Sequence, residues 1–371
     1  MGKLCMIYNF APSYREAIFK LIDQEYDCDW YFGNNETDIK GLDLSVLQRT
    51  QLLKNHVIFR YPLYYQKGVL SLLWKKEYTT YFMLGDLFCL STWLMGLLAW
   101  LFYPKKRIYF WSHGWYGKEQ GLKRWLKKIF FSLADGTFLY GNHAKNLMLK
   151  EGFSEDRLYV IRNSLAHEKQ IIVRRKLCDT SVYRKHFTNG YNNLIFIGRL
   201  TQVKRLDLLI KALVKLRERD LFYNLTFIGD GEQKEMLQDL VKRNNIEENV
   251  WFYGACYDES TNAELIYNAD LCVAPGNVGL TAMHVMVFGT PVATHDSFML
   301  QMPEFEAIHD GTTGCFFKYE DVNSIADSIE RWFRTHKNDR EKIREACFRE
   351  IDMNWTPRFQ LEVIKKHLKV D

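Results

Sequence analysis

Paired cysteines are missing. Eight cysteines stand at 5, 28, 89, 178, 256, 272, 315 and 347, and no two form a C-x-x-C pair. That spacing speaks against a zinc site. Cysteines inside apolar runs, such as Leu271-Cys272-Val273, read as buried free thiols of a reducing compartment. A strong surplus of one charge is missing too. The formal net charge is +5, too mild to demand nucleic acid, and no recognised nucleic-acid module is present. Residues 1–10 lack a basic stretch followed by a long apolar core, so they read as a strand rather than a signal peptide. No apolar run reaches the ~20 residues of a spanning helix. One run, 87–103, comes close. It lies between strand-like segments at 78–84 and 107–111, so a buried crossover helix is expected there. No strand in the first half ends in G-x-G-x-x-G with an acid about 20 residues on, which argues against an NAD-dependent oxidoreductase. No D-x-D follows a strand, so no divalent metal is expected beside a diphosphate. Low-complexity segments and internal repeats are absent as well.

What is present is an ordinary globular balance in 371 residues, 47% hydrophobic and 26% charged, enough for two domains. Short β-rich runs alternate with helical stretches. In the first half the runs fall at 4–8, 29–32, 56–59, 107–111, 137–140 and 158–161, with helices at 15–22 and 118–133. Residues 166–190 are polar and broken, which suggests a linker. The alternation restarts at 193–197 and continues through 225–228, 250–253, 271–274 and 291–294. Leu206, Leu209, Ile210, Leu213 and Leu216 mark a helix in the second half. The expectation is an α/β protein of two doubly wound, Rossmann-like domains, 1–170 and 187–355, facing across a cleft, with 356–371 packing back on the first. Ligands of such sheets bind beyond the carboxyl ends of the strands.

Three clusters follow strand ends. Gly198-Arg199-Leu200-Thr201-Gln202-Val203-Lys204 sets two cations beside a helix start, a natural clamp for a diphosphate. Gly229-Asp230-Gly231-Glu232 is a glycine turn where a backbone can approach a ligand. Pro275-Gly276-Asn277-Val278-Gly279-Leu280-Thr281 enters a helix that carries His284, and Gly289-Thr290-Pro291-Val292 follows. Each alone is also what an ordinary turn looks like.

Their order, however, resembles glycosyltransferase family 4 of the GT-B fold. The resemblance covers about 191–335 well and is looser in the first half. It implies a nucleotide-sugar donor bound by Gly198, Arg199, Lys204, Asp230, Gly231, Asn277, Gly279, Leu280, Thr281 and His284. The 255–257 stretch, with Cys256 and Tyr257, would wall the base. It implies retention of anomeric configuration, hexosyl or deoxyhexosyl transfer, and no cofactor or metal beyond the nucleotide-sugar itself. Arg199 and Lys204 would then stabilise the leaving diphosphate.

One departure stands out. The two glutamates usual in the family fall at Gly276 and His284 here. Glu304 and Glu306, in the loop after 291–294, are candidate replacements, expected with His284 to face the donor. His113, after the strand at 107–111, matches a position set against the donor sugar. Tyr14 and Arg15 are candidate acceptor contacts. The helix at 118–133 places Leu122, Trp125, Leu126, Ile129, Phe130 and Leu133 on one face, expected to pack on the sheet. Lys123, Arg124, Lys127 and Lys128 lie on the other, available to anionic lipid. The resulting expectation is a cytoplasmic transferase, peripheral on the inner face of the cell membrane. It would act on a glycan or lipid-linked saccharide, as in bacterial surface polysaccharide synthesis. The alternative is a catalytically inactive homologue that binds a nucleotide-sugar or a partner protein.

Overall fold

The computed structural model describes residues 2–34 and 40–370. The chain divides into two compact units, one of residues 1–166 with 356–371 and one of residues 167–355.

The strands of unit 1 are β1 (Lys3–Tyr8), β2 (Cys28–Phe32), β3 (Thr50–Leu52), β4 (Lys54–Val57), β5 (Tyr64–Lys67), β6 (Tyr78–Leu84), β7 (Arg107–Ser112), β8 (Gly136–Leu139) and β9 (Leu158–Val160). Seven of them form a parallel sheet in the order β3-β2-β1-β6-β7-β8-β9. Side chains alternate across a strand, so β1 feeds two cores. Leu4, Met6 and Tyr8 pack with Ile18, Phe19 and Ile22 of α1 (Glu16–Glu25). Cys5 and Ile7 join Met95 and Ala99 of α2 (Leu90–Phe102), Phe130 and Phe131 of α3 (Gly121–Ser132), and Met148 of α4 (Asn142–Lys150). Each such large apolar side chain contributes about 1.5–3 kcal/mol of burial.

Unit 2 contains α5 (His167–Arg174), α6 (Val182–His186), β10 (Asn192–Ile197), α7 (Leu206–Arg217), β11 (Tyr223–Ile228), α8 (Lys234–Arg243), β12 (Val250–Gly254), α9 (Glu259–Asn268), β13 (Leu271–Ala274), α10 (Leu280–Met286), β14 (Val292–His295), β15 (Gly314–Phe317), α11 (Val322–Thr335) and α12 (Arg340–Asn354). Its parallel sheet runs β12-β11-β10-β13-β14-β15. The direction of winding reverses between β10 and β13, the place where doubly wound sheets open a ligand crevice. The five apolar residues expected on α7 are all buried. Finally, α13 (Pro357–His367) returns to unit 1. Ile364 and Leu368 enter the α1 core, and Thr80 Oγ1 donates to the Lys369 carbonyl at 2.6 Å.

Four expectations need correction. The strand placed at 56–59 is instead β4, residues 54–57, paired antiparallel with β5 outside the main sheet. The stretch 166–190 is not an open linker. It carries α5 and α6, which pack on α9: Gln170 and Tyr183 are buried, and Tyr183 Oη donates to the Leu265 carbonyl at 2.7 Å. The apolar run at 87–103 does form a helix, but α2 buries Ser91, Thr92, Met95, Gly96 and Ala99 and leaves most of its large side chains exposed. On α3 the faces are also not as expected. Leu122, Trp125 and Leu126 are exposed, while Lys127 is buried in an ion pair with Glu119. Of this helix, Phe130 and Phe131 enter the core.

Candidate functional site

In unit 2 the site begins where β10 stops. Gly198 and Arg199 follow the strand, and a short turn then brings Lys204 across to the loop after β13. Lys204 Nζ donates to the Asn277 carbonyl at 2.7 Å and to Asn277 Oδ1 at 2.9 Å. Burial pushes the Lys204 ammonium down to about 8; nearby Glu304 opposes this and Arg199 adds to it. Arg199 itself is exposed. Glu304 is buried in the single turn Pro303–Ala307, which Glu306 shares in a half-buried position. A cation with depressed proton affinity, beside a second cation, is an environment that an anion relieves.

Gly276 sits against the same segment. Its N–H donates to the Lys204 carbonyl at 2.9 Å. A Cβ placed on it would lie 2.7 Å from Lys204 Cα and closer still to the Val203 carbonyl oxygen. No side chain fits there, so the acid usual in the family is sterically excluded rather than merely absent. Gly279 takes φ +54° as the chain turns into α10, a left-handed conformation that glycine adopts without penalty. Leu280 opens the helix, and Thr281 Oγ1 donates to the Ile197 carbonyl at 2.9 Å, tying α10 to the end of β10.

Gln301 completes the loop. Its buried side chain accepts from Val278 N at 2.9 Å and donates to Thr294 Oγ1 at 2.8 Å and to the His295 carbonyl at 3.1 Å. No local pattern marks Gln301 in the sequence as a brace. Glu259 was missed as well. His284 Nε2 lies 3.1 Å from Glu259 Oε2, and Gln170 Nε2 donates to Glu259 Oε1 at 2.9 Å. Burial raises the Glu259 carboxyl, but His284 and Gln170 outweigh it and hold it below its ordinary value. Glu259 starts α9 directly after the 255–257 stretch, where Cys256 is half-buried and Tyr257 exposed. The available signal was the N-cap Asp258, whose carboxylate accepts from Thr261 N at 2.8 Å. Asp230 is exposed. Its carboxylate ties its own turn, accepting from Gly231 N at 2.8 Å and pairing with Lys234 at 3.1 Å.

Unit 1 gathers Tyr14, Arg15 and His113 around a cavity of about 1620 Å³ at the ends of β1, β6 and β7. Arg15 is buried, donates to the Tyr140 hydroxyl, and lies 4.7 Å above the Trp111 ring. His113 packs its ring 4.6 Å from that of Tyr140. Burial, then Arg15 and Lys127, push the imidazole down to about 4, so it is neutral at pH 7. Phe88, Trp93, Leu126 and Lys123 also line the cavity.

Known proteins share the fold, and part of the chain matches a known family. Residues 182–349 match the family described as glycosyl transferases group 1. An uncharacterised glycosyltransferase of Methanocaldococcus jannaschii is 30% identical over 189 residues, 48% of this chain and 45% of the relative. The chain thus spans under half the length of curated relatives that it matches. The crystal structure of Anabaena HepE with UDP superposes with a TM-score of 0.73 at 15% identity, covering 99% of each chain. A lipopolysaccharide outer core galactosyltransferase, WaaB, gives 0.72 at 14% identity, covering 99% of this chain and 100% of its own. At those identities the likeness is one of fold, and the fold is GT-B.

Proposed function

We propose that this protein transfers a hexosyl or deoxyhexosyl group from a nucleoside diphosphate sugar, with retention of anomeric configuration, as the match of residues 182–349 to the glycosyl transferases group 1 family supports. The acceptor is a glycan or lipid-linked saccharide met at the inner face of the cell membrane. The observation that carries the reading is Lys204: an ammonium lowered to about 8 by burial, held on Asn277 at the switch point of the sheet, with Arg199 beside it. As the glycosidic bond breaks, negative charge grows on the diphosphate, and these two cations meet it. They do the work a divalent ion does elsewhere, so the reaction runs without metal. Asn277 and the backbone of Gly279, Leu280 and Thr281 hold the distal phosphate. Glu304 supports the sugar end, and His284 with Glu259 the ribose. In unit 1, His113, Tyr14 and Arg15 line the acceptor cavity.

UDP is what the HepE structure contains, so uridine diphosphate sugars come first in the test. Thermal unfolding is followed with UDP- and GDP-sugars. A donor at a hundredfold its dissociation constant adds about 2.7 kcal/mol of stability, and released diphosphate then reports turnover. No stabilisation by any nucleotide-sugar refutes the reading. Binding without turnover, over a panel of acceptors, selects the second reading, a catalytically inactive homologue. That alternative is motivated by the absence of an acid at Gly276 and His284.

A further inference from the structure

The helix α2 is built backwards for a protein in water. Its thirteen residues carry no charge, and those packed inward are the small or polar ones, Ser91, Thr92, Gly96 and Ala99, with Met95. Those turned outward include Trp100 at 70% exposure, Phe102 at 66%, and Leu94, Leu97 and Leu101. Its neighbour α3 adds Leu122 at 69% and Trp125 at 58%. The two helices meet near the end of α3. The Trp93 and Phe130 rings are 5.0 Å apart, and a Cβ on Gly96 would come within 2.8 Å of Leu133 Cβ. Exposed apolar side chains in this number on two neighbouring helices mark an interaction site.

We propose that the joined outer faces of α2 and α3 insert into the interfacial layer of an anionic bilayer. The inference rests on the membrane-acceptor reading above and gives it a structural basis. Charge selects the occupant. Between residues 87 and 134 there are eight Lys or Arg and a single acid, Glu119, which is consumed by Lys127. Beyond that stretch, Glu151 pairs with Arg124 at 2.7 Å and Asp135 with Arg107 at 3.1 Å, which leaves Lys123 and Lys128 exposed among the apolar residues of α3 and Lys105 after α2. A second copy of this face would set like charges together, whereas anionic headgroups complement them. Tryptophan at the boundary between apolar and wet surroundings suits its amphipathic ring. Thirteen residues extend about 20 Å, short of the ~30 Å hydrocarbon core, and no helix among the described residues is long and apolar enough to cross a membrane. The face lies on the bilayer and does not span it. Trp93, Lys123 and Leu126 also line the cavity that holds His113 and Arg15, so an acceptor with a hydrocarbon chain enters it from the lipid.

The test is flotation of the full chain with vesicles of phosphatidylcholine and phosphatidylglycerol in equal parts, and with phosphatidylcholine alone. The wild type floats with the anionic vesicles and keeps part of its binding in high salt. Trp100→Ser with Phe102→Ser and Trp125→Ser lowers the partition coefficient by at least about tenfold. Because all three side chains are exposed, the variant keeps its melting temperature and its stabilisation by donor, which separates failure here from failure of the transferase reading. Three results overturn the proposal. They are absence of flotation, flotation that salt abolishes entirely and the triple variant leaves unchanged, and a lipid-free dimer that the triple variant dissociates.

Discussion

Replacing Gly276 by alanine adds one methyl group at the most crowded point of the donor loop. That carbon would stand 2.7 Å from Lys204 Cα and closer to the Val203 carbonyl oxygen, where about 3.5 Å is the normal approach. Both neighbours are backbone, so no rotamer change relieves the clash. The 203–204 segment and the 275–277 loop must separate by roughly 0.8 Å or more at this point. The hydrogen bond from Gly276 N to the Lys204 carbonyl, 2.9 Å, joins the same two segments and is lost or stretched. Overpacking of this kind costs about 1–3 kcal/mol, which for a unit of this size lowers the melting temperature by roughly 2–12 °C. Activity falls further than stability. Lys204 reaches Asn277 across that very gap, and a displacement of about 1 Å at a catalytic group can cost roughly a hundredfold. The assay is kcat/KM for transfer beside calorimetric unfolding. A Gly276→Ala protein with wild-type melting temperature and wild-type kcat/KM refutes the reasoning, as does a Gly276→Glu protein that gains activity.

The remaining expectations concern the charges. Arg199→Ala and Lys204→Ala each reduce kcat/KM by about 100- to 1,000-fold while circular dichroism stays unchanged; wild-type rates in both place the clamp elsewhere. Lys204 is lowered to about 8, so its charge is present below pH 8 and is lost above it. Nucleoside diphosphate affinity therefore falls above pH 8, approaching about tenfold per pH unit, while the stability of the unliganded protein rises over the same window because the unfolded chain holds that proton longer. Calorimetric titration at several pH values measures the first, and Lys204→Met should flatten both trends. His284→Ala and Glu259→Gln each weaken nucleotide binding by about tenfold, with a double variant no worse than either single one; additive losses mean the two groups act separately. EDTA leaves the rate unchanged, and a loss restored by magnesium or manganese contradicts the metal-free mechanism.

The glycine turns and the two cations of unit 2 are legible in the sequence because their signals are local. A strand that runs out into glycine before a helix shows itself in the chain alone, as at Gly198 and Gly229. The two cations are five residues apart and need no distant partner to be noticed. Other features depend on residues far away in the chain. Glu259 matters through His284, 25 residues on, and Gln301 through Val278 and Thr294. The exposure of α2 and the faces of α3 escape the sequence for a different reason. A helix that is apolar all round carries no directional pattern, so hydropathy cannot say which side packs. Packing decides it: Gly96 and Ala99 are the residues small enough for close approach to neighbouring elements. On α3, Glu119 draws Lys127 inward against the pattern of its neighbours.

The missing acids then take on a consistent meaning. Had Gly276 been an ordinary loop glycine with open space beside it, loss of the family's glutamate would suggest decay of an active site. Instead the backbone of 203–204 closes onto it, and the same approach brings Lys204 to Asn277. The loop is held from behind by Gln301 and Thr281, a brace that a relic would have little reason to keep. At the other lost position, a histidine presents a carboxylate from α9 near the 255–257 stretch, so an acid is still supplied, from a different helix. Glu304 is buried within reach of the Lys204 charge. A buried carboxylate is costly unless a cation or a hydrogen-bonding ligand compensates it. That argument favours a working transferase that has moved its acids over a homologue that has lost them.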